Sequence, residues 1–250
     1  MFNFKKIKET VKKVTSVVLT ATLSIGVFST TPIKATKFGE EILKKIVLVG
    51  NVESGKTQII TRMVNNEFKE EYKDTIGADL LIKQYNFNDN QYNFRIWDTP
   101  GNEQIESLCT AFIKYGNDVI ILTVAYDDSD WKNSINNRLE YVNEIVYEEN
   151  PVKVVITKSD IDEDERRFKK EDVEEYLSNI SEETYQNLEI NNTVIETSAK
   201  NDTGINHKDG EERNLETCLE DYLLNLFDKQ KTEYEEEYEE EEDKNEEDKK

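Results

Sequence analysis

Eight residues constrain this chain more than any others: Gly50-Asn51-Val52-Glu53-Ser54-Gly55-Lys56-Thr57. They fit G-x-x-x-x-G-K-[ST]. An apolar, β-branched run (Ile46-Val47-Leu48-Val49) leads in, and a helix-compatible run (Gln58 to Val64) leads out. A strand that turns through a glycine-bearing loop into a helix aims backbone N–H groups and the helix dipole at one spot, which then holds an anion. The glycines let the backbone come close. Lys56 adds a point charge on the outer phosphates, and the Thr57 hydroxyl can ligate Mg²⁺. The whole loop, Gly50 through Thr57, is therefore expected to hold a nucleotide's phosphate tail.

A length of 250 residues suits one domain with tails, or at most two small domains, and 36% hydrophobic residues are enough for one sizeable core. The net charge of −22 is unevenly placed. Residues 1–37 carry seven lysines against one glutamate, while residues 232–250 carry twelve acidic residues against three lysines. The body between them is acidic, which argues against non-specific binding of nucleic acid. Cys109 and Cys218 form no disulfide framework and lack metal-site spacing, so each is expected to pack as a small hydrophobe. His207 lies in a polar stretch and receives no role.

Residues 1–35 read as a secretory leader. A basic start (Lys5, Lys6, Lys8, Lys12, Lys13) precedes an apolar segment from about Val14 to Phe28, and Ala35 is a plausible cleavage point. That segment is short of the ~20 apolar residues a membrane span needs. An uncleaved anchor and an organelle-targeting leader are the alternatives. Export by the Sec-type route is the expectation. Residues 232–250 are a like-charge block, expected to be disordered.

From Glu41 onward strand-like and helix-like segments alternate, which predicts an α/β fold with a mostly parallel sheet and crossover helices. Strands are expected at Ile46–Val49, Asp79–Phe87, Tyr92–Trp97, Val119–Val124, Val152–Ile156 and Asn192–Ile195. The second and third flank the turn cluster Asn88-Asp89-Asn90 and read as a hairpin. Helices are expected after the phosphate loop, at about Glu103–Lys114, at about Trp131–Tyr147 with Pro151 as its stop, and at about Asn214–Phe227. The charged segment from Ile161 to Asn191 is expected to hold one surface helix.

Residues at later strand ends narrow the ligand. Trp97-Asp98-Thr99-Pro100-Gly101 ends the third strand; Asp98 suits Mg²⁺, and Gly101 lets a backbone N–H reach a terminal phosphate. Thr75, in Asp74-Thr75-Ile76-Gly77, can give a hydroxyl to Mg²⁺ and a backbone N–H to phosphate. Thr157-Lys158-Ser159-Asp160 ends the fifth strand, where a carboxylate can accept both N–H donors of the guanine edge and the lysine stem can cover the base. Thr197-Ser198-Ala199-Lys200 follows the last strand, where a backbone N–H can meet the guanine oxygen.

These five motifs in this order resemble the Ras-like small GTPases, and the Rab branch most closely, over roughly residues 43–228. The spacings agree: 25 residues from Gly50 to Thr75, 23 more to Asp98 and 59 more to Thr157. Tyr72 and the Ile76-Gly77 pair look Rab-like. The resemblance implies a P-loop NTPase G domain, a mostly parallel six-stranded sheet with helices on both faces. It implies GTP/GDP and Mg²⁺ as ligands, with Thr57, Thr75 and Asp98 on the metal. It also implies Phe68 against the guanine, and Thr157, Lys158, Asp160, Ser198, Ala199 and Lys200 around the base. Lys56 would act on the phosphates during hydrolysis.

Departures from the pattern shape the functional expectation. Asn102 stands where the family usually has the glutamine that orients the attacking water. It is one methylene shorter, and Gln104 could substitute only if the loop shifts. Val52 replaces a small residue where an activating protein would insert an arginine. No arginine lies between Asn66 and Ala78, so an internal arginine finger, worth ~10³–10⁵ in rate where it operates, is not expected. Strong GTP binding with slow turnover follows. A prenyl anchor is not expected, since the sequence ends Glu-Glu-Asp-Lys-Lys. The segment between Asp160 and Ser198 is about a dozen residues longer than the family's usual length and is expected to be a solvated surface insertion.

Three functions compete. One is a GTP/GDP switch that hydrolyses GTP slowly and engages effector and regulator proteins, including exchange and activating factors, as a monomer. The second is a largely GTP-bound binding module that mimics or sequesters partners of host Rab proteins. The third is a surface adhesin that retains the fold without nucleotide. A leader on such a chain leads to the expectation of export, into a host cytosol.

Overall fold

The computed structural model describes residues 41–71, 73–87, 90–147, 149–180, 184–206, 214, 215 and 219. Six strands form one sheet: β1 (Glu41–Gly50), β2 (Asp79–Phe87), β3 (Asn90–Asp98), β4 (Val119–Ala125), β5 (Asn150–Thr157) and β6 (Leu188–Glu196). Their order is β2-β3-β1-β4-β5-β6. Among these six described strands only β2 and β3 pair antiparallel, with Asp79 opposite Asp98; β3–β1, β1–β4, β4–β5 and β5–β6 are parallel. Four helices are described: α1 (Lys56–Asn65), α2 (Glu103–Ile113), α3 (Trp131–Ile145) and α4 (Lys170–Ser178).

The sheet is covered on both faces, as a mostly parallel sheet must be. On one side Ile120, Leu122, Val124, Val152, Val154 and Ile156 pack with Ile113 of α2, with Ile135, Leu139 and Val142 of α3, and with Val173 and Leu177 of α4. On the other, Ile46, Leu48, Ile96, Ile121 and Val155 pack with Ile59, Ile60 and Met63 of α1 and with Leu215 and Leu219. The run Val119–Ala125 is buried throughout, which explains why its sequence does not alternate.

β1 runs longer than its apolar core. Lys44 and Lys45 stay in the strand because Asp118 accepts from Lys44 Nζ at 2.9 Å and from the Lys45 backbone N–H at 2.7 Å. Two expectations need correction. Pro151 does not stop α3; it is the second residue of β5 and pairs with Glu189, while pairing with β4 begins at Val152. The helix ends because Val146 turns extended and the Asn187 amide donates to the carbonyls of Asn143 and Val146 at 3.0 and 3.1 Å. Nor is the segment from Ile161 to Asn191 simply a solvated surface. Phe168, Val173, Leu177, Tyr185 and Leu188 are buried in the same cluster as α3.

The leader, the acidic tail, Tyr72, the Asn88-Asp89 part of the hairpin turn, His207, Cys218 and most of the closing helix lie outside the described residues. Among those described, no helix is long and apolar enough to cross a membrane.

Candidate functional site

The phosphate loop is fixed at both ends by its neighbours in the sheet. Gly50 has φ +153°, and a Cβ there would stand 2.3 Å from Thr123 Oγ1 and 2.7 Å from Ser54 Oγ. No other residue fits. Ser54 shares a hydrogen bond with Thr123 at 2.7 Å, and its carbonyl accepts from Thr157 Oγ1 at 2.8 Å. The loop is thus stitched to the ends of β4 and β5. Glu53 takes a left-handed conformation with φ 63°, and Gly55 caps α1 with φ 86°. Lys56 is buried, and its Nζ donates to the carbonyls of Gly50 and Asn51, both at 2.8 Å. A lysine folded back into the loop keeps its charge at the point where the backbone amides and the α1 dipole converge.

Thr57, Thr75 and Asp98 are brought together. The Thr57 hydroxyl donates to Asp98 Oδ2 at 2.6 Å and lies 3.1 Å from the Thr75 hydroxyl. Asp98 is 1% exposed, and its Oδ1 receives no hydrogen bond. Burial raises the Asp98 carboxyl above the usual carboxylate range; the Thr57 hydrogen bond and the Lys56 charge oppose that shift. A buried carboxylate oxygen without a donor, beside two hydroxyls, is an all-oxygen set of the kind Mg²⁺ takes. The residues fit the ion.

Gly101 lies directly on the phosphate loop. A Cβ there would meet Val52 N at 2.5 Å and Asn51 O at 2.6 Å, so the glycine is required by contact. Thr99 holds this stretch to β1 by donating to the Leu48 carbonyl at 2.6 Å. Asn102 is exposed and immediately precedes α2, a position that favours asparagine. Gln104 is in the first turn of α2, and its side chain is outside the described set. Val52 is 47% exposed, so its branched side chain stands at the surface of the loop.

At the other end of the site, Asp160 Oδ1 accepts from Ser198 Oγ at 2.6 Å, joining the segment after β5 to the one after β6. Thr157 is buried under the loop through Ser54, as described. Lys158 is left-handed with φ 59° and pairs with Asp127 at 2.7 Å. Ala199 and Lys200 follow Ser198 in a turn closed by reciprocal bonds between Ser198 and Thr203. Phe68 is half-buried in the loop after α1 and belongs to neither apolar cluster.

Three arginines that sequence reasoning passed over tie these segments together. Arg62 of α1 donates to the Ala199 carbonyl at 2.7 Å and the Lys200 carbonyl at 3.4 Å. Arg166, in the long charged segment, donates to the Ser159 carbonyl at 2.7 Å. Arg138 of α3 is 3% exposed and donates to Asn51 Oδ1 at 2.8 Å and to the Gly101 carbonyl at 2.9 Å. A signal for Arg138 was present: it sits among Ile135, Leu139 and Val142, at the helical spacing of the buried stripe. A cation in such a stripe is buried and must be paired.

A phosphate loop after the first strand, a carboxylate at the end of the third and a second carboxylate after the fifth, on a mostly parallel sheet, define a P-loop NTPase G domain. The chain belongs to the Ras family, which it matches over residues 45–209. Among curated proteins it is similar to "Ras-related protein Rab7" of Pisum sativum, 38% identical over 109 residues, covering 44% of this chain and 51% of that protein. It is 43% identical over 81 residues to "Ras-related protein Rab7A" of Mesembryanthemum crystallinum, covering 32% of this chain and 39% of that protein. Over 89 residues it is 39% identical to "Ras-related protein Rab-32D" of Dictyostelium discoideum, covering 36% of this chain and 39% of that protein. In these alignments the chain spans about half the length, or less, of the relatives it matches.

Proposed function

We propose that this protein is a Rab-like guanine-nucleotide switch that binds GTP and GDP with Mg²⁺ and hydrolyses GTP slowly. The observation that carries the proposal is the convergence of Thr57, Thr75 and Asp98, from three separate segments, beside a buried loop lysine. Thr57, Thr75 and Asp98 would hold Mg²⁺, which when bound neutralises charge on the phosphates. The Gly50–Thr57 backbone and Lys56 bind the phosphate oxygens and stabilise charge there during cleavage of the terminal P–O bond. The Gly101 N–H would reach the terminal phosphate, and the Asp160 carboxylate would accept from the guanine edge.

Slow turnover is supported by Asn102 and Val52. An exposed Asn102 just before α2 has a shorter reach than glutamine toward an attacking water, and surface-exposed Val52 obstructs a partner's arginine. The same two residues favour a second function, a binding module that stays GTP-loaded and holds Rab-type effectors. An apolar surface beside Thr75 would serve either: Ile76 is 79% exposed, Leu80 and Ile82 of β2 follow it, and Trp97 stacks on Phe112 at 4.6 Å. Export through the 1–35 leader, with residence in a host cytosol, belongs to this proposal too. N-terminal sequencing of the mature chain tests it, and a start near Thr36 is the expected result.

The deciding experiment is titration of the purified chain with fluorescent GTP, GDP and ATP, with Mg²⁺ and with chelator. Tight, Mg²⁺-dependent binding of both guanine nucleotides and at least 100-fold weaker ATP is expected. Equal affinity for ATP, or no binding at all, refutes the proposal. Single-turnover hydrolysis then separates the switch from the GTP-loaded module.

A further inference from the structure

We propose that Arg138 is a positioning residue by which the domain distinguishes GTP from GDP, acting from α3 through Gly101. This rests on the proposed function, in which Gly101 meets the terminal phosphate.

The argument begins with where the arginine lies. α3 buries Trp131, Ile135, Leu139 and Val142 against the sheet, and Arg138 occupies the same face at 3% exposure. Burying a guanidinium in an apolar stripe is unfavourable unless its donors are met. Here one planar fork meets two loops at once: Nε donates to Asn51 Oδ1 at 2.8 Å, and Nη2 donates to the Gly101 carbonyl at 2.9 Å. Asn51 is itself held from behind, because its amide donates to Ser134 Oγ at 2.7 Å and Ser134 donates to Asp128 at 2.6 Å. Three side chains of the α3 region therefore fix the first variable residue of the phosphate loop.

The two acceptors belong to segments with no slack between them. Gly101 packs on the Asn51–Val52 backbone so closely that even a methyl group would overlap it. Arg138 spans that contact and holds both sides, so it sets where Gly101 sits relative to the phosphate loop. Because the peptide is planar, its hold on the Gly101 carbonyl also sets the direction in which Asn102 leaves. GDP lacks the third phosphate that Gly101 would meet in GTP. Misplacing Gly101 thus weakens GTP and spares GDP. A lysine keeps the charge but offers no fork, and cannot bridge two acceptors in this geometry.

The test compares the full-length chain with Arg138→Lys and Arg138→Met, following dissociation of fluorescent GDP and of a non-hydrolysable fluorescent GTP analogue in Mg²⁺. Both variants are expected to release the GTP analogue at least ~10-fold faster while GDP release changes less than ~3-fold. Equal changes for both nucleotides make Arg138 merely structural and overturn the inference, as does a ratio shifted toward GTP. Recovery of the wild-type ratio by Arg138→Lys overturns it also, since charge alone then suffices. Should Arg138→Met fail to fold, the lysine variant decides. A wild-type chain that binds neither nucleotide defeats the proposed function itself, which no Arg138 result can do.

Discussion

The Thr57 hydroxyl donates to Asp98 Oδ2 at 2.6 Å, across 41 residues of sequence. That one bond joins the start of α1 to the end of β3, and Thr75 closes on it from a third segment at 3.1 Å. Neither hydroxyl belongs to the core; the contact persists because β1 and β3 pair in parallel register up to Leu48 and Asp98. The sheet therefore brings Thr57 and Asp98 together as a consequence of strand order.

Asp98 makes the site pH-sensitive. Its carboxyl is raised by burial, so the folded chain binds that proton more tightly than the unfolded chain. Without Mg²⁺, folding stability should fall as pH rises from the ordinary carboxylate range through the raised value. Thermal melts in chelator across pH 4 to 8 should show this decline for the wild type and a flatter profile for Asp98→Asn. The same variant should lose most Mg²⁺ dependence of nucleotide binding. An unchanged profile would mean the buried Oδ1 is not titrating.

Gly50→Ala should destabilise the fold and abolish phosphate binding together. The added methyl meets Thr123 Oγ1 at 2.3 Å and the backbone conformation at +153° is strained for alanine. A cost of about 1–3 kcal/mol is expected. Chemical denaturation and nucleotide titration measure the two effects, and a stable variant with normal affinity would contradict the packing.

Base selection should follow Asp160. An asparagine there keeps one carbonyl acceptor but replaces the other oxygen with an amide N–H donor, which suits a purine bearing a carbonyl where guanine bears its amino group. Asp160→Asn is expected to lower GTP affinity by 100-fold or more and to raise xanthosine triphosphate affinity. Competition binding reads both. A variant that still prefers GTP would remove Asp160 from base recognition.

Restoring a glutamine should speed the chemistry. Asn102→Gln is expected to raise single-turnover GTP hydrolysis by roughly 10-fold, a barrier change of about 1.4 kcal/mol, with little change in GTP affinity. A wild type already as fast as the glutamine variant would show that asparagine reaches far enough.

The charged segment before β6 should behave as core. Leu177→Ala or Phe168→Ala should cost about 2–5 kcal/mol, as for other buried apolar truncations, whereas a solvated segment would give under ~0.5 kcal/mol. For a domain of this size that is a melting-temperature loss of about 4–20 °C.

Much of the fold was legible because the central strands are nearly pure apolar runs: Ile46–Val49, Val119–Val124 and Val152–Ile156 could hardly be anything else. Their ends were less so, because polar residues such as Lys44 and Asn191 join strands through partners that only the folded chain supplies. Motif and spacing nominated the candidate phosphate, metal and base residues, and of these the structure brings Thr57, Thr75 and Asp98 together. Motif and spacing did not nominate Arg62, Arg138 or Arg166: each acts on backbone carbonyls or an amide oxygen, and of the three only Arg138 left a mark, its place in the buried stripe of α3. The buried role of Phe168, Val173 and Leu177 was hidden by the charged residues between them; an apolar pair four apart in a short helix suffices to bury one face.

That segment, which begins just after Asp160, has a consequence for how the chain can vary. An ordinary surface loop drifts freely in length, because nothing inside the protein keeps count of its residues. Here Phe168 stacks between Tyr126 and Trp131 at 5.1 and 5.0 Å, and Arg166 lies 4.3 Å over the Tyr126 ring. A deletion between Asp160 and Phe168 would pull on these anchors and loosen the Ser159 carbonyl that Arg166 holds. The spacing from Asp160 to Phe168 is thereby counted from inside the protein, by the rings of Tyr126 and Trp131.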